Sequence, residues 1–144
     1  NKRSEQVEHH KGEISFPGGG KDPGDSSLLD TALRETHEEM GIAPQDVVVL
    51  GELDDVVTPH TLFSISPFVG AISSPYQFRP NTREVAEILE VPLSLLRNPS
   101  TWRESDRIPS GEMLPMRSYL YGQHLIFGAT ARILSQFLEL TDDN

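Results

Sequence analysis

With 144 residues, 36% of them hydrophobic, the chain suits one domain (residues 1–144) able to bury a core without staples. It contains no cysteine, which excludes disulfides and thiolate metal sites. Its 22 Asp plus Glu outweigh 12 Lys plus Arg, for a formal charge of −10, and this argues against a nucleic-acid binder, because a phosphate backbone needs a basic footprint.

The chain opens on Asn1 rather than Met, so we expect its N-terminus to be incomplete. No secretory pattern follows and no apolar run approaches membrane-spanning length; the expectation is a cytoplasmic protein with no membrane partner. Asn1 to Ser15 is polar and holds Arg3, His9, His10 and Lys11. For the two histidines a solvated loop is the default. Arg3 and Lys11 are better candidates to meet an anion, although a solvated face is the default for any single charge. Glu13-Ile14-Ser15-Phe16 alternates polar and apolar residues and predicts a short strand. It feeds Phe16-Pro17-Gly18-Gly19-Gly20, whose glycines let backbone N–H groups approach a ligand closely. Asp22-Pro23-Gly24-Asp25 continues the loop with strong turn chemistry.

From Leu28 onward, Leu29, Ala32, Leu33, Thr36 and Met40 follow helical spacing and predict an inward stripe. Asp25, Ser26 or Ser27 can cap the start, with Asp30 as a capping-box partner of Ser27. Gly41 sits where a C-cap glycine belongs. On this helix, about 13 residues or roughly 20 Å long, Glu35, Glu38 and Glu39 share one face, since positions i, i+3 and i+4 are surface neighbours. Like charges at that spacing cost helix stability, so something cationic should offset them. Arg34, one turn before Glu38, is one candidate. A divalent ion is the other, and hard-oxygen clusters suit Mg2+ or Mn2+.

Beyond the helix, Val47 to Leu53 predicts a β-branched strand, Asp54 to His60 a loop, and Leu62 to Ile72 a strand bent near Pro67. Tyr76 to Thr82 is a loop; Glu84 to Val91 could be helix or strand, and Pro92 to Leu96 suggests a strand leading into a helical turn. Trp102 to Ile108 and Met113 to Tyr121 predict a hairpin around Pro109-Ser110-Gly111. After a turn at Gly122-Gln123-His124, Leu125 to Leu140 predicts an amphipathic helix with Ile126, Ala129, Ile133, Leu134, Phe137 and Leu138 inward. The order is mixed α/β with antiparallel segments, so α+β or a three-layer sandwich fits best.

Gly20 followed by Arg34-Glu35-Thr36-His37-Glu38-Glu39-Met40-Gly41-Ile42 resembles the Nudix box, a glycine followed at fixed distance by R-E-x-x-E-E-x-G and an aliphatic residue. Two departures stand out. The general pattern has Glu at the position that counts to Ser26, with Asp25 beside it, and Thr36 replaces a usually apolar residue. Arg3-Ser4, Gly12 and Phe16-Pro17-Gly18-Gly19 resemble the extra signature of the coenzyme A pyrophosphatase branch. The loop Lys21 to Asp25, Thr31-Ala32-Leu33, Gly51 to Asp55, and Glu84-Val85 ahead of Val91-Pro92-Leu93 are similar to that branch too. Glu8 stands where many relatives carry a basic residue, and the apolar start of the signature would fall before Asn1.

The resemblance implies a Nudix-type α/β/α sandwich with a mixed central sheet, and metal-dependent hydrolysis of a nucleoside diphosphate linked to another moiety. In this branch the substrate is coenzyme A or its thioesters, cut to 3′,5′-ADP and 4′-phosphopantetheine or its acyl form. It implies Glu35, Glu38, Glu39 and the backbone carbonyl of Gly19 as ligands of Mg2+ or Mn2+, with Arg34 orienting the glutamates by ion pairing. The general base is Glu38 or Glu84, and Glu84 could equally be an ordinary surface glutamate. Phe16, Gly18, Gly19 and Gly20 would meet the substrate, with Arg3 and Lys11 on its extra phosphate. Competing readings are a Nudix hydrolase of ADP-ribose, a dinucleotide or a nucleoside triphosphate, and a non-catalytic sensing module, which would be expected to lose the box glutamates. A homodimer is compatible with the sequence.

Overall fold

In the computed structural model the described residues are 1–4, 12–58, 62–107 and 113–142, with the backbone alone for 104–107 and 113–116. In chain order the elements are β1 (Lys2–Arg3), α1 (Leu28–Met40), β2 (Val48–Glu52), β3 (Val56–Val57), β4 (Ser64–Ile65), β5 (Phe68–Ala71), β6 (Val85–Glu87), α2 (Leu93–Leu96), β7 (Trp102–Arg107), β8 (Met113–Tyr121), β9 (His124–Ile126) and α3 (Gly128–Leu140). The class is α/β, as expected. The strands form four small sheets, β1–β6, β2–β5, β3–β4 and β7–β8–β9, all antiparallel. Among the described residues these take the place of the expected mixed central sheet.

The chain divides into two compact units, Asn1–Asp55 with Ser66–Leu89, and Val56–Ile65 with Glu90–Asn144. In the second, Tyr119 is almost wholly buried with Ala131, Ile133, Leu134 and Leu138 of α3, and its hydroxyl shares a 2.7 Å hydrogen bond with Ser135. The Trp102 indole N–H donates to the Leu96 carbonyl at 2.7 Å, and the Arg117 guanidinium lies over its ring at 3.6 Å, a cation–π contact. In the first unit Val85 and Ile42 are buried, together with the polar Ser4, Thr31 and Glu39.

Several boundaries differ from the sequence reading, for local reasons. Glu13 to Phe16 is not a strand; Ile14 makes a single bridge to Lys2. The predicted strand at Leu62 to Ile72 is two, because Ser66-Pro67 leaves the ladder and the Pro67 carbonyl instead accepts from Leu53 N–H at 2.9 Å. The loop after Leu53 contains β3, and Glu84 to Val91 resolves as strand β6. The C-terminal helix starts at Gly128, not Leu125: His124 to Ile126 pair with Tyr121 to Tyr119, and Phe127 stays extended at φ −141°. The expected apolar stripe of α1 is only half-buried, whereas Thr31 and Glu39 are its buried residues. Pro109-Ser110-Gly111, His60 and Lys11 lie outside the described residues.

Both ends of α1 are fixed by local contacts. Ser27 caps its start by accepting from Asp30 N–H at 3.1 Å, while the Asp30 carboxylate accepts from the Ser26 hydroxyl rather than closing a capping box. Gly41 terminates it in the left-handed region at φ 74°, its N–H donating to the His37 carbonyl. The last carbonyls of a helix lack intrahelical partners. Here Arg79 N–H donates to the Met40 carbonyl and Asn81 N–H to the Glu39 carbonyl, both at 2.9 Å. The segment carrying Glu84 is thereby hung from the helix carrying Glu39. A Cβ at Gly41 would lie 2.7 Å from both the Arg79 backbone nitrogen and oxygen.

Gly41→Ala is therefore expected to lose about 1 kcal/mol from the left-handed backbone, and more from displacing Arg79. The thermal midpoint should fall by several degrees, at roughly 2–4 °C per kcal/mol for a domain of this size. A melting curve superimposable on the wild type would refute the close approach of the two backbones.

Candidate active site

Arg34 uses its whole guanidinium on neighbours. Its Nε and Nη2 donate to the Asp25 carboxylate at 3.0 Å each, and Nη2 also to the Gly20 carbonyl at 3.1 Å. Nη1 donates to Glu35 at 3.0 Å and to Glu38 at 3.2 Å, with Asp22 3.4 Å away. Asp25 also accepts from the Thr31 hydroxyl and the Asp22 N–H, each at 2.9 Å. This network holds the Asp25 carboxyl well below the usual carboxylate range, Arg34 being the largest cause. The acid beside Ser26 is thus the one that Arg34 holds. The Thr36 hydroxyl closes onto the Ala32 carbonyl at 2.7 Å, so the second departure costs α1 no unsatisfied group.

The glycine turn packs against the same face. Gly18 N–H donates to Glu39 Oε2 at 2.9 Å. A Cβ at Gly19 would fall 2.6 Å from the Glu35 carboxyl carbon, so a side chain there would displace that carboxylate. The three box glutamates are in different states. The Glu38 side chain is 53% exposed and that of Glu35 17%, while Glu39 as a residue is 6% exposed. Burial, with the charges of Glu35 and Glu84 adding, pushes the Glu39 carboxyl up to about 7 against the opposing Gly18 hydrogen bond and the charge of Arg3. Glu35 is raised mainly by burial, with Arg34 opposing and Glu38 and Glu84 adding.

Glu84, read from the sequence as either base or bystander, is half-buried and close enough for its charge to raise both Glu35 and Glu39. Among the described residues no ion pair engages it. Arg3 lies on β1, and its charge reaches Glu39. Phe16 is 49% exposed. Lys11 is outside the described residues, so its placement beside the turn is not seen.

Among the described residues no three His, Asp or Glu side chains are gathered as a preformed metal set. The cause is visible: Arg34 draws Glu35 and Glu38 to itself, and Glu39 faces Gly18. The donors nevertheless fit a hard divalent ion. They are all oxygens, and burial together with Glu35 and Glu84 leaves Glu39 with more negative charge around it than its local partners offset.

Asp25 and Asp22 as partners of Arg34, and Thr31 as a donor to Asp25, were not legible as such. Asp25 precedes Arg34 by nine residues across an irregular loop, a spacing no helix or strand period reports. The bond from Ser4 N–H to the Glu84 carbonyl was likewise not legible, because no local spacing joins residues so far apart in the chain.

A family model described as NUDIX domain matches residues 2–110. A protein named uncharacterized Nudix hydrolase NudL from Photorhabdus laumondii subsp. laumondii is 38% identical over 138 residues, 96% of this chain and 73% of its own length. Its namesake from Pectobacterium atrosepticum is 35% identical over 142 residues, 98% of this chain and 73% of its own. A mitochondrial coenzyme A diphosphatase of Homo sapiens, NUDT8, is 38% identical over 136 residues, 91% of this chain and 56% of its own.

The raised Glu39 makes a pH-dependent prediction for the metal-free protein. Its carboxyl is protonated more readily folded than unfolded, where the value is 4.5. Folding therefore takes up a proton in the window from about 4.5 to 7, and stability falls as pH rises through it. In chelator, Glu39→Gln should melt above the wild type at about pH 8, with the gap closing near pH 4.5. An equal gap at both pH values would show that the burial of the charge is not the cause.

Proposed function

Because the chain belongs to the Nudix hydrolase family, we propose that it is a metal-dependent pyrophosphohydrolase of coenzyme A or its acyl derivatives, releasing 3′,5′-ADP and 4′-phosphopantetheine or its acyl form. The observation that carries the chemistry is that the Glu35 and Glu39 carboxylates lie against the glycine turn, with Glu84 near enough for its charge to act on both and Arg34 bracing Glu35 and Glu38. The substrate is supported by the similarity to a protein named a coenzyme A diphosphatase, and by Arg3-Ser4, Gly12 and Phe16 to Gly19 preceding the box. We take residues 1–144 as one catalytic domain, in keeping with a family match that runs through segments of both compact units.

Glu35, Glu38, Glu39 and the Gly19 carbonyl would hold Mg2+ or Mn2+, which supplies neutralisation of the pyrophosphate and a more acidic attacking water. The chain's own part is positional and acid–base. Arg34 fixes Glu35 and Glu38 relative to the turn and does not reach substrate, since its donors are taken. Glu84 accepts the proton of the attacking water, being a carboxylate of the group that Arg34 does not engage. Glu38 is the other candidate. The water oxygen bonds to phosphorus, the bridging P–O bond breaks, and the second phosphate departs with the bridging oxygen. Arg3 offers charge to the substrate's extra phosphate, and Phe16 offers an exposed flat face.

Mass spectrometry of the products from coenzyme A, ADP-ribose, a dinucleotide and a nucleoside triphosphate, with Mg2+ and with chelator, tests this reading. Coenzyme A should be among the faster substrates and yield 3′,5′-ADP, with turnover lost in chelator. Preference for another member of the panel would keep the family chemistry and remove the coenzyme A assignment. Glu38→Gln and Glu39→Gln should each cut turnover by about 10²-fold or more while the melting transition persists; wild-type rates in both would sink the metal-site reading.

A further inference from the structure

We infer that Ser4 and Asn81 are positioning residues for Glu84, holding its carboxylate beside Glu35 and Glu39 by gripping the peptide groups on either side of it. The inference rests on the proposed part of Glu84 in hydrolysis and adds to it what sets the geometry. Neither residue belongs to the box.

Glu84 is held through its backbone. Its N–H donates to the Asn81 carbonyl at 3.0 Å, and its own carbonyl accepts from Ser4 N–H at 2.9 Å. The same Asn81 carbonyl accepts from Val85 N–H at 2.8 Å. The Asn81 side chain closes this turn by accepting from Arg83 N–H at 3.1 Å. On the other side, the Ser4 hydroxyl donates to the Arg83 carbonyl. Ser4 is 5% exposed and Val85 2%, so the grip lies against a buried anchor. The peptide groups flanking Glu84 are thus tied to Ser4, just past β1, on one side and to the Asn81 turn on the other.

Asn81 is also the link to the box. Its N–H donates to the Glu39 carbonyl at 2.9 Å. The route from one carboxylate to the other is therefore Glu39 backbone, Asn81 backbone, Glu84 backbone, with a hydrogen bond at each junction. Such a path fixes a separation that loop sequence alone would leave to fluctuate, and a misplacement of about 1 Å can cost 10²-fold in rate. The Ser4 hydroxyl matters because deleting it leaves the part-buried Arg83 carbonyl without that donor. The exposed Asn81 side chain matters because its acceptor holds the turn that receives Glu84 N–H.

The test is a double-mutant cycle of Ser4→Ala with Glu84→Gln, run on whichever diphosphate the protein turns over fastest, with amide exchange as an independent readout on metal-free protein. Ser4→Ala should lower kcat roughly tenfold with KM near wild type, and should cost less than about twofold once Glu84 is Gln, because nothing remains to position. Glu84 and Val85 amides should exchange faster in Ser4→Ala than in wild type. Should Ser4→Ala fail to fold, Asn81→Ala, at an exposed position, carries the same cycle and the same exchange measurement. An equal loss of kcat in both backgrounds, or unchanged exchange at Glu84, overturns the inference and leaves the hydrolase reading intact. A Glu84→Gln protein with wild-type kcat removes the part given to Glu84 and the inference with it.

Discussion

Arg34 is the interaction on which the arrangement of the box depends. An arginine presents five N–H donors in a fixed planar fork, and here the fork is spent on the Asp25 carboxylate, the Gly20 carbonyl, Glu35 and Glu38. One side chain thereby joins the loop before α1, the glycine turn and two acidic positions of the helix itself. A lysine could match the charge but not this geometry, since an ammonium is a single point with three donors. The pair with Asp25 ties that loop to the helix although Asp25 lies nine residues before Arg34.

Arg34 does not neutralise the whole cluster, and the remainder is where chemistry is available. Glu39 is buried against Gly18 with the charges of Glu35 and Glu84 acting on it, and its carboxyl is raised to about 7 in consequence. A carboxylate in that condition destabilises the fold at neutral pH unless a cation joins it. Conflicts of this kind between stability and local environment concentrate at functional positions. The same conflict was visible in the sequence as three glutamates on one helical face, but burial makes it sharper than the spacing alone could say.

How much of this was legible depends on the range of the interactions. The helix Leu28–Met40 and its Gly41 stop are set by residues within a few positions and were legible in the sequence, which left the cap open among Asp25, Ser26 and Ser27 until the structure placed it on Ser27. The hairpin of Trp102–Arg107 with Met113–Tyr121 was legible from alternation and turn residues. What failed was decided by tertiary pairing. Leu125 and Ile126 fit a helical period, yet a strand partner at Tyr119 and Leu120 claims them. The α1 stripe of Leu29, Ala32, Leu33 and Met40 is apolar, yet the buried positions are Thr31 and Glu39, on the face that meets Asp25 and the glycine turn. For the site, the box residues were readable as a motif. Which carboxylate Arg34 would choose outside the helix, and whether Glu84 would reach the cluster, were not.

Glu84 shows why motif and fold have to be read together. Its own neighbourhood, Arg83 before it and Val85 after it, is as compatible with a surface acid as with a base. Its place is fixed by how α1 ends. A helix that stops in a left-handed glycine leaves carbonyls to be satisfied, and the segment that satisfies those of Glu39 and Met40 runs from Arg79 to Asn81. Three residues later the chain reaches Glu84 and then turns into β6, paired with β1. The box glycine at position 41 is thus more than a terminator: with no Cβ, it lets the Arg79 backbone approach closely, at the start of the segment that carries Glu84, whose charge acts on Glu35 and Glu39.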